Sequence, residues 1–512
     1  MEKQSFIKLL LPLAILSFPV LGAEPDPLDS DIPALDGGDD VFIIDDSGED
    51  DVLTIERDPA QDDDPQGIEP VDGDEEFIID GEIEGLPGGD AIVEEKADDT
   101  EKSAATGATD YETEEGAFGV DDLWLEMSHF PDSNSAADNQ AFFHGQVSGE
   151  WRLSDHWDAK LTLRADTYVQ NGSQDTEDST LDYGDTFIRY SEENYRVTLG
   201  GQTVMWGRID EFPPTDYLST QDLSRYILDD LSDRRRASPA LRFEYFSGNA
   251  KLDVIALPVF REAELADKDS VWFPVNRRSG EILGLESTPV TRSIIRTTPV
   301  VLDEPDGAGG GAVRFSNISG TFDYAITVQR GRQTVPYFTF DPVRGVIESR
   351  YPRSWVFGGD IGFEALGGTV RFEAAWIGDT PATEVDGTFT TEESVTWAAA
   401  IELYPGDGDG RLNLQIIGRN MIGADDVLDR DELYWFNGSY EVPFADNNWR
   451  FKTRFNIGLD KNDVYLNPEI AYTGWRSREI YLEAHYFNGA NGTPGGFHED
   501  NSVIAIGWRG KF

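Results

Sequence analysis

From Phe118 to the end of the chain, polar and apolar residues alternate in run after run. In AFFHGQVSGEWRL, Phe143, Val147, Trp151 and Leu153 fall on one parity, and His144, Gln146, Ser148, Glu150 and Arg152 on the other. Successive side chains of a strand point to opposite faces, so each run predicts a strand with one apolar and one polar face. The following run, WDAKLTLRADTYVQ, sets Trp157, Ala159, Leu161, Leu163, Ala165 and Val169 against Asp158, Lys160, Arg164, Asp166 and Gln170. Only Ser154–His156 separate the two runs, which makes them a hairpin. Tyr195–Gly207 alternates as well, and further on Val370, Phe372, Ala374 and Trp376 oppose Arg371 and Glu373. Near the end Trp449, Phe451, Phe455 and Ile457 oppose Arg450, Lys452, Arg454 and Asn456. Soluble sandwiches alternate too, but their apolar faces meet each other. Polar faces this rich in charge suit a wet lumen, with the apolar faces turned to lipid.

Connection lengths support the same architecture. Short connections (Ser154–His156, Glu192–Asn194, Gly248–Asn249, Ser319–Gly320, Leu366–Gly368, Gly406–Gly410, Ala445–Asn448, Ser477) alternate with long ones (Pro131–Gln140, Asn171–Leu181, Arg208–Ser238, Arg261–Gly310, Gly331–Arg353, Asp379–Glu392, Ala424–Asp431, Gly489–Glu499). One connection of the second set, near Asp460–Asn462, is short. Membrane barrels have short periplasmic turns and long outer loops. The expected fold is all-β: a transmembrane antiparallel β-barrel of about 18 strands, within a range of 16–18, with both ends periplasmic. Trp151, Trp157, Trp376, Trp435, Trp449, Tyr486 and Trp508 are expected at strand ends, as interfacial girdles place them.

Composition separates the rest of the chain. Lys3 and Lys8 bracket a short charged region before an apolar run, Leu9–Leu21, too short to span as a helix and followed by the small residues Gly22 and Ala23. Residues 1–23 are therefore expected to be a signal peptide. Residues 24–117 hold 35 acidic residues against three basic ones and only three aromatics, the composition of a disordered acidic tail. Two hydrophobic tetrapeptides interrupt it: Phe42, Ile43, Ile44, Asp45 and again Phe77, Ile78, Ile79, Asp80. Flanked by charge, Phe-Ile-Ile has the form of a peptide that adds a strand to a sheet edge, so both are candidate binding sites for a periplasmic partner. Sticky spots kept soluble by acidic neighbours would read the same way. Residues 118–512 form the expected barrel. The chain has no cysteine, which excludes disulfides, thiolate metal sites and a Cys nucleophile. A net charge of −57 excludes a nucleic-acid binder.

The last strand, NSVIAIGWRGKF, alternates to its final residue and ends in Phe. It resembles the terminal signal that the barrel-assembly machinery reads in Gram-negative outer-membrane barrels, with Trp508 and Phe512 as the signal residues. The segment LGGQTVMWGRIDEFPPTDYLSTQDLSRY, Leu199–Tyr226, resembles porin-like barrels related to alginate export and porin-like families of unassigned function: a glycine-glutamine strand, then WG, then a loop with Pro-Asp turns. The resemblance implies a barrel architecture and a broad transport role in the outer membrane, but no particular solute.

The loop after that strand carries the most specific candidate chemistry. Pro213 and Pro214 break the strand, and Ser219 or Thr220 can cap a helix on which Leu223, Tyr226, Ile227 and Leu231 recur. Arg234, Arg235 and Arg236 close it, where cations suit a helix C-terminus. The loop is expected either to fold into the pore as a constriction or to lie over the mouth. Lumen candidates on the wall are Arg164, Arg196, Arg371, Arg419, Arg450, Lys452 and Arg454, facing acids that include Asp166 and Glu373. Opposed rows would set up a transverse field for polar solutes, whereas cross-strand pairs would only fill the lumen. No metal-ligand spacing and no cofactor motif is expected. AGGGA at Ala308–Ala312 lacks the Lys-Ser/Thr of a phosphate loop. Among the histidines only His485, near the last outer loop, invites an enzymatic reading, and no nucleophile motif accompanies it. The sequence thus points away from an enzyme, to an outer-membrane channel for a small polar or amphipathic solute, with membrane lipid and the assembly machinery as partners. Open alternatives are an outer-membrane component of a trans-envelope system and a surface structural protein or adhesin.

Overall fold

The computed structural model describes residues 118–512 other than Asp407 and Asp425, so the signal peptide, the acidic tail and both FIID segments lie outside the described residues. The staves, in chain order, are β1 (Gly119–His129), β2 (Ala137–Arg152), β3 (Trp157–Gly172), β4 (Thr176–Tyr183, continued by Thr186–Ser191), β5 (Tyr195–Gln202) and β6 (Ser238–Ser247). There follow β7 (Ala250–Leu257), β8 (Gly310–Ser319), β9 (Phe322–Arg332), β10 (Arg353–Ala365), β11 (Gly368–Thr383) and β12 (Phe389–Leu403). The last six are β13 (Arg411–Ile422), β14 (Glu432–Phe444), β15 (Trp449–Gly458), β16 (Asp463–Trp475), β17 (Arg478–Gly489) and β18 (Val503–Lys511). Each is antiparallel to its neighbour. β1 also pairs with β18, Leu125 opposite Trp508 and Met127 opposite Ile506, so the sheet closes on itself. The large sheet contains nineteen strands, and because the two pieces of β4 lie end to end along β3, the barrel has eighteen staves.

The two faces follow the sequence parity. Leu125, Met127, Leu163, Leu199, Ile326, Phe372, Ile416, Leu482 and Ile506 are all exposed on the outside. Their inward neighbours Glu126, Arg164, Thr198, Thr327, Glu373, Gln415, Glu483 and Ala505 are buried or nearly so. An apolar outer face on a closed sheet leaves no unpaired strand edge and no polar backbone to solvate, the condition for a structure that sits in hydrocarbon.

Connections at one end are tight turns, several bent through left-handed backbone, as at Gly248 (φ 56°) and Ser477 (φ 61°). The other end carries the long loops. Residues 258–309, which include the helix α2 (Pro289–Thr297), turn back over the mouth, and Trp272, Phe273, Val275, Ile282 and Ile295 pack there against Phe130, Tyr168, Tyr465, Phe487 and Val503 from the stave ends. Phe338 and Ile347 join this core from a hairpin, Tyr337–Asp341 with Val346–Arg350.

One expected loop is a strand. Most of Thr176–Tyr183 falls in the expected outer connection Asn171–Leu181, yet it is hydrogen-bonded along Leu163–Gln170, with Asp182 opposite Arg164 and Thr180 opposite Asp166. Asp178, Thr180 and Asp182 share the lumen parity, and of the exposed residues Glu177, Ser179 and Leu181 only the last is apolar.

Candidate functional site: the loop inside the barrel

Residues 203–237 do not lie over the mouth. They leave β5, enter the lumen and are fastened to inward side chains around most of its circumference. The entry turn depends on Gly207. Its φ is 107°, and a Cβ there would stand 2.6 Å from Glu373 Oε1 and 2.7 Å from Pro213 Cβ. The Glu373 carboxylate on β11 sits in the fold of this turn. It accepts the backbone N–H of Arg208 (2.7 Å), Ile209 (3.3 Å) and Thr215 (2.7 Å) and the Thr215 hydroxyl (2.8 Å). Four donors on one buried carboxylate allow it to stay buried without a cationic partner. Beside it Arg208 reaches Asp360 on β10 at 2.5 Å, and Arg314 reaches the other oxygen of the same carboxylate at 2.6 Å. Arg371 pairs with Glu402 and lies 3.5 Å from Asp210 of the loop.

The far limb crosses to the opposite wall. The Arg225 guanidinium, 2 % exposed, pairs with Glu126 on β1 and at 2.8 Å with Asp229 of its own loop. The rings of Phe142 (4.2 Å) and Trp124 (5.1 Å) face it. Glu126 is held further by the Tyr481 hydroxyl at 2.6 Å and by Ser128. Arg225 therefore anchors the loop where β1 meets β18, a seam at which Gly507 leaves the space that Tyr481 fills. On β3, Arg164 binds Asp222 at 2.7 Å and Asp166 at 2.6 Å, and His144 bridges Asp166 and Asp122. On β15, Lys452 pairs with Asp230, and Arg454 donates to the Leu228 carbonyl at 2.6 Å and lies 3.1 Å from Asp230.

Burial and partners set the loop's own ionisation. Burial raises the Asp229 carboxyl in spite of Arg225, and it raises Asp216 in spite of Arg235. At Asp230 burial acts in the same direction, but Lys452 and Arg454 overcome it and hold the carboxyl well below the usual range.

The long helix expected in this loop is absent. Thr220–Leu223 is a short strand, parallel to Glu264–Leu265 and antiparallel to Arg235–Arg236, and only Leu231–Arg234 forms a single helical turn, α1. The reason is tertiary: Tyr226 adopts φ 56° and Arg225 is drawn to Glu126, which a continuous helix would not permit. Arg234 ends this single turn and Arg235 follows it, but carboxylates hold the side chains of Arg234, Arg235 and Arg236. They pair with Glu211 (3.2 Å), with Asp216 (2.5 Å), and with Asp182 together with Glu264.

The remaining candidates scatter. Arg450 pairs with Glu469 and Glu479, which Arg509 shares from β18. Arg196 lies 3.6 Å from Glu244, in a ladder continued by Arg242 and Asp253. Arg419 stands at the outer end of β13, where it donates to the Arg430 carbonyl. The luminal charges are therefore interleaved along adjacent strands and with the loop, and do not form two opposed rows. Trp435, expected in an outer girdle, points inward and stacks on Phe212 of the loop. Trp508 faces outward opposite Leu125, and the Phe512 N–H is bonded to the Asp121 carbonyl at 2.9 Å. His485 is a buried wall residue, 2.9 Å from the Tyr465 hydroxyl and 3.4 Å from Glu483. The anchors Glu126, Arg225, Asp230 and Asp360 were not singled out by sequence, and Asp222, read as first-turn acid of a helix, instead binds Arg164. The inward parity of Glu126 was the available signal for the first.

No family model and no curated protein sequence matches the chain. Among solved structures it is similar to a Salmonella typhi OmpF complex with daunomycin (9 % identity, 78 % of this chain and 98 % of that one, TM-score 0.42). It is similar also to Acinetobacter baumannii OccAB3 (10 % identity, 77 % and 98 %, TM-score 0.44) and to Pseudomonas aeruginosa OpdL (10 % identity, 78 % and 98 %, TM-score 0.43). At these scores the functional reading rests on the chain's own geometry.

Proposed function

We propose that this chain is an outer-membrane channel of a Gram-negative cell for small polar or amphipathic solutes, with residues 203–237 as its constriction. The observation that carries this reading is the loop fastened inside a closed barrel whose outer face is apolar and whose inner face is charged. A purely structural or adhesive barrel has no need to hold a charged loop across its lumen through Glu373, Asp360, Glu126 and Lys452 at once. A selective pore needs such a loop, because a lumen of eighteen strands is otherwise wide enough to pass solutes without choice. In this reading the tight turns face the periplasm and the capped mouth faces outward. The alginate-export likeness of Leu199–Tyr226 is its finer form, and the acidic segment before the barrel serves as a periplasmic tether whose FIID tetrapeptides recruit a partner. The test is single-channel recording of the full chain in planar bilayers with KCl. Discrete conductance steps are expected, larger when residues 208–233 are replaced by a short Gly/Ser linker. A barrel that inserts and stays sealed in both forms refutes the channel.

A further inference from the structure

The inner wall of β13–β15 holds an unusual group of side chains. Gln415, Asn437 and Asn456 lie directly opposite one another on three adjacent strands, and Asn413 is the next inward residue before Gln415. The carbonyl oxygen of each of these four amides is buried and, among the described residues, has no hydrogen-bond partner. Asn413, Gln415 and Asn437 are 2–4 % exposed. Asn413 donates from its other end to Asp210, so the oxygen is its free end. Buried polar groups in folded proteins are almost always paired, and four unpaired acceptors on one patch of wall call for a cause. Directly beyond Asn437 on the same face stands Trp435, stacked on Phe212 with centroids 6.5 Å apart and planes 19° apart. Phe212 is 41 % exposed although it lies within the barrel, so one flank of this aromatic pair is open.

We propose that this wall, with Phe212, is a binding subsite for a neutral polyhydroxylated solute of the saccharide class. The proposal rests on the channel reading and gives it a substrate class. Four acceptors ask for donors. Hydroxyl groups supply them, whereas a carboxylate or phosphate brings only more acceptors. A cationic solute would meet Lys452 and Arg454, which precede Asn456 on the inward face of β15. The C–H face of a sugar ring matches the open flank of the aromatic pair, and a few placed polar groups beside an apolar surface are what orients a small ligand. The loop segment Ile209–Phe212 lies along this wall: Ile209 packs with Ala398, Ala400 and Ile417, Asp210 meets Asn413, and Phe212 meets Trp435. Solute therefore reaches the amides as that segment shifts. A ligand bearing hydroxyl donors favours the uncovered state because only there does it make these bonds.

The experiment uses the full chain in planar bilayers, carrying KCl current, with glucose, sucrose or maltotriose added, and sodium glutamate as the anionic comparison. At least one saccharide is expected to interrupt the current at concentrations where glutamate does not. Its half-blocking concentration should rise tenfold or more in Phe212→Ala and in Gln415→Leu, both assayed as inserted barrels. Current untouched by all three saccharides, block by glutamate of equal strength, or block unchanged in both variants overturns the subsite and leaves the channel standing. Absence of any KCl current refutes the channel reading itself.

Discussion

Arg225→Met tests whether the seam anchor holds the loop in the lumen. The substitution keeps an apolar stem between Trp124 and Phe142 but removes the guanidinium, leaving Glu126 buried with only the Tyr481 and Ser128 hydroxyls as partners. Breaking a buried ion pair on one side costs about 3–5 kcal/mol, because the abandoned charge stays desolvated. That corresponds to roughly two to three and a half powers of ten in the ratio of docked to undocked loop tip, at about 1.4 kcal/mol per tenfold. The double variant Arg225→Met with Glu126→Gln removes both charges of this pair and leaves only Asp229 without its cation, a carboxyl that burial already raises toward its neutral form, and replacing a buried pair in full is often close to neutral. The single variant should therefore open to larger and noisier conductance and lose its heat resistance in SDS gels, and the double variant should regain most of both. The turn held by Glu373 is remote from this tip, so the loop's first limb should stay docked in both. A single variant with the conductance and heat resistance of the parent would refute the anchor. A double variant as damaged as the single would show that lost packing, not stranded charge, is the cause.

Other expectations follow from individual contacts. Glu373→Gln weakens charge-assisted acceptance from four donors, a loss of about 1.5–3 kcal/mol, and should raise open-channel conductance in bilayers. His498 lies in the loop 490–502 among Tyr226, Trp272, Phe487 and Phe497, and burial lowers its pKa from 6.5 to about 3. The unfolded loop binds a proton that the folded one refuses, so the stability of the mouth cap is full above about pH 6.5 and falls by about 1.4 kcal/mol per unit as pH drops toward 3. Proteolysis of the outer loops should accelerate between pH 7 and pH 5 in the parent, and not in His498→Phe. A parent with a flat profile would refute the claim. Leu482→Arg on the outer face of β17 should cost about 2–4 kcal/mol in folding into lipid vesicles, whereas a variant that inserts as well as the parent would mean this face does not meet lipid.

The resemblance of strand to sequence is close where one rule governs. Side-chain alternation fixed the inward and outward sets of β2, β3, β11, β15 and β18, and the tight turns at Ser154–His156, Gly248–Asn249 and Ser477 fell where the alternation paused. Alternation failed at Thr176–Tyr183, because a strand with few apolar residues on its outer parity carries little signal against a loop. The girdle rule misplaced Trp435, because an inward aromatic near a strand end reads like a girdle residue. In the loop 203–237 a helical spacing of Leu223, Tyr226, Ile227 and Leu231 was present, yet the chain there is short strand, turns and a single helical turn.

By itself, then, the sequence determined the staves, their two faces and the end of the barrel at which the long loops gather, because a closed sheet between lipid and water imposes a period of two that local residues must obey. Only the tertiary structure decided where the loop goes and what each luminal charge does. Arg225 finds Glu126 across 99 positions of chain, and Lys452 finds Asp230 across 222. Such pairs leave no periodic trace, since each depends on the curvature of the closed wall and on a loop whose local preferences are overruled by the carboxylates it meets.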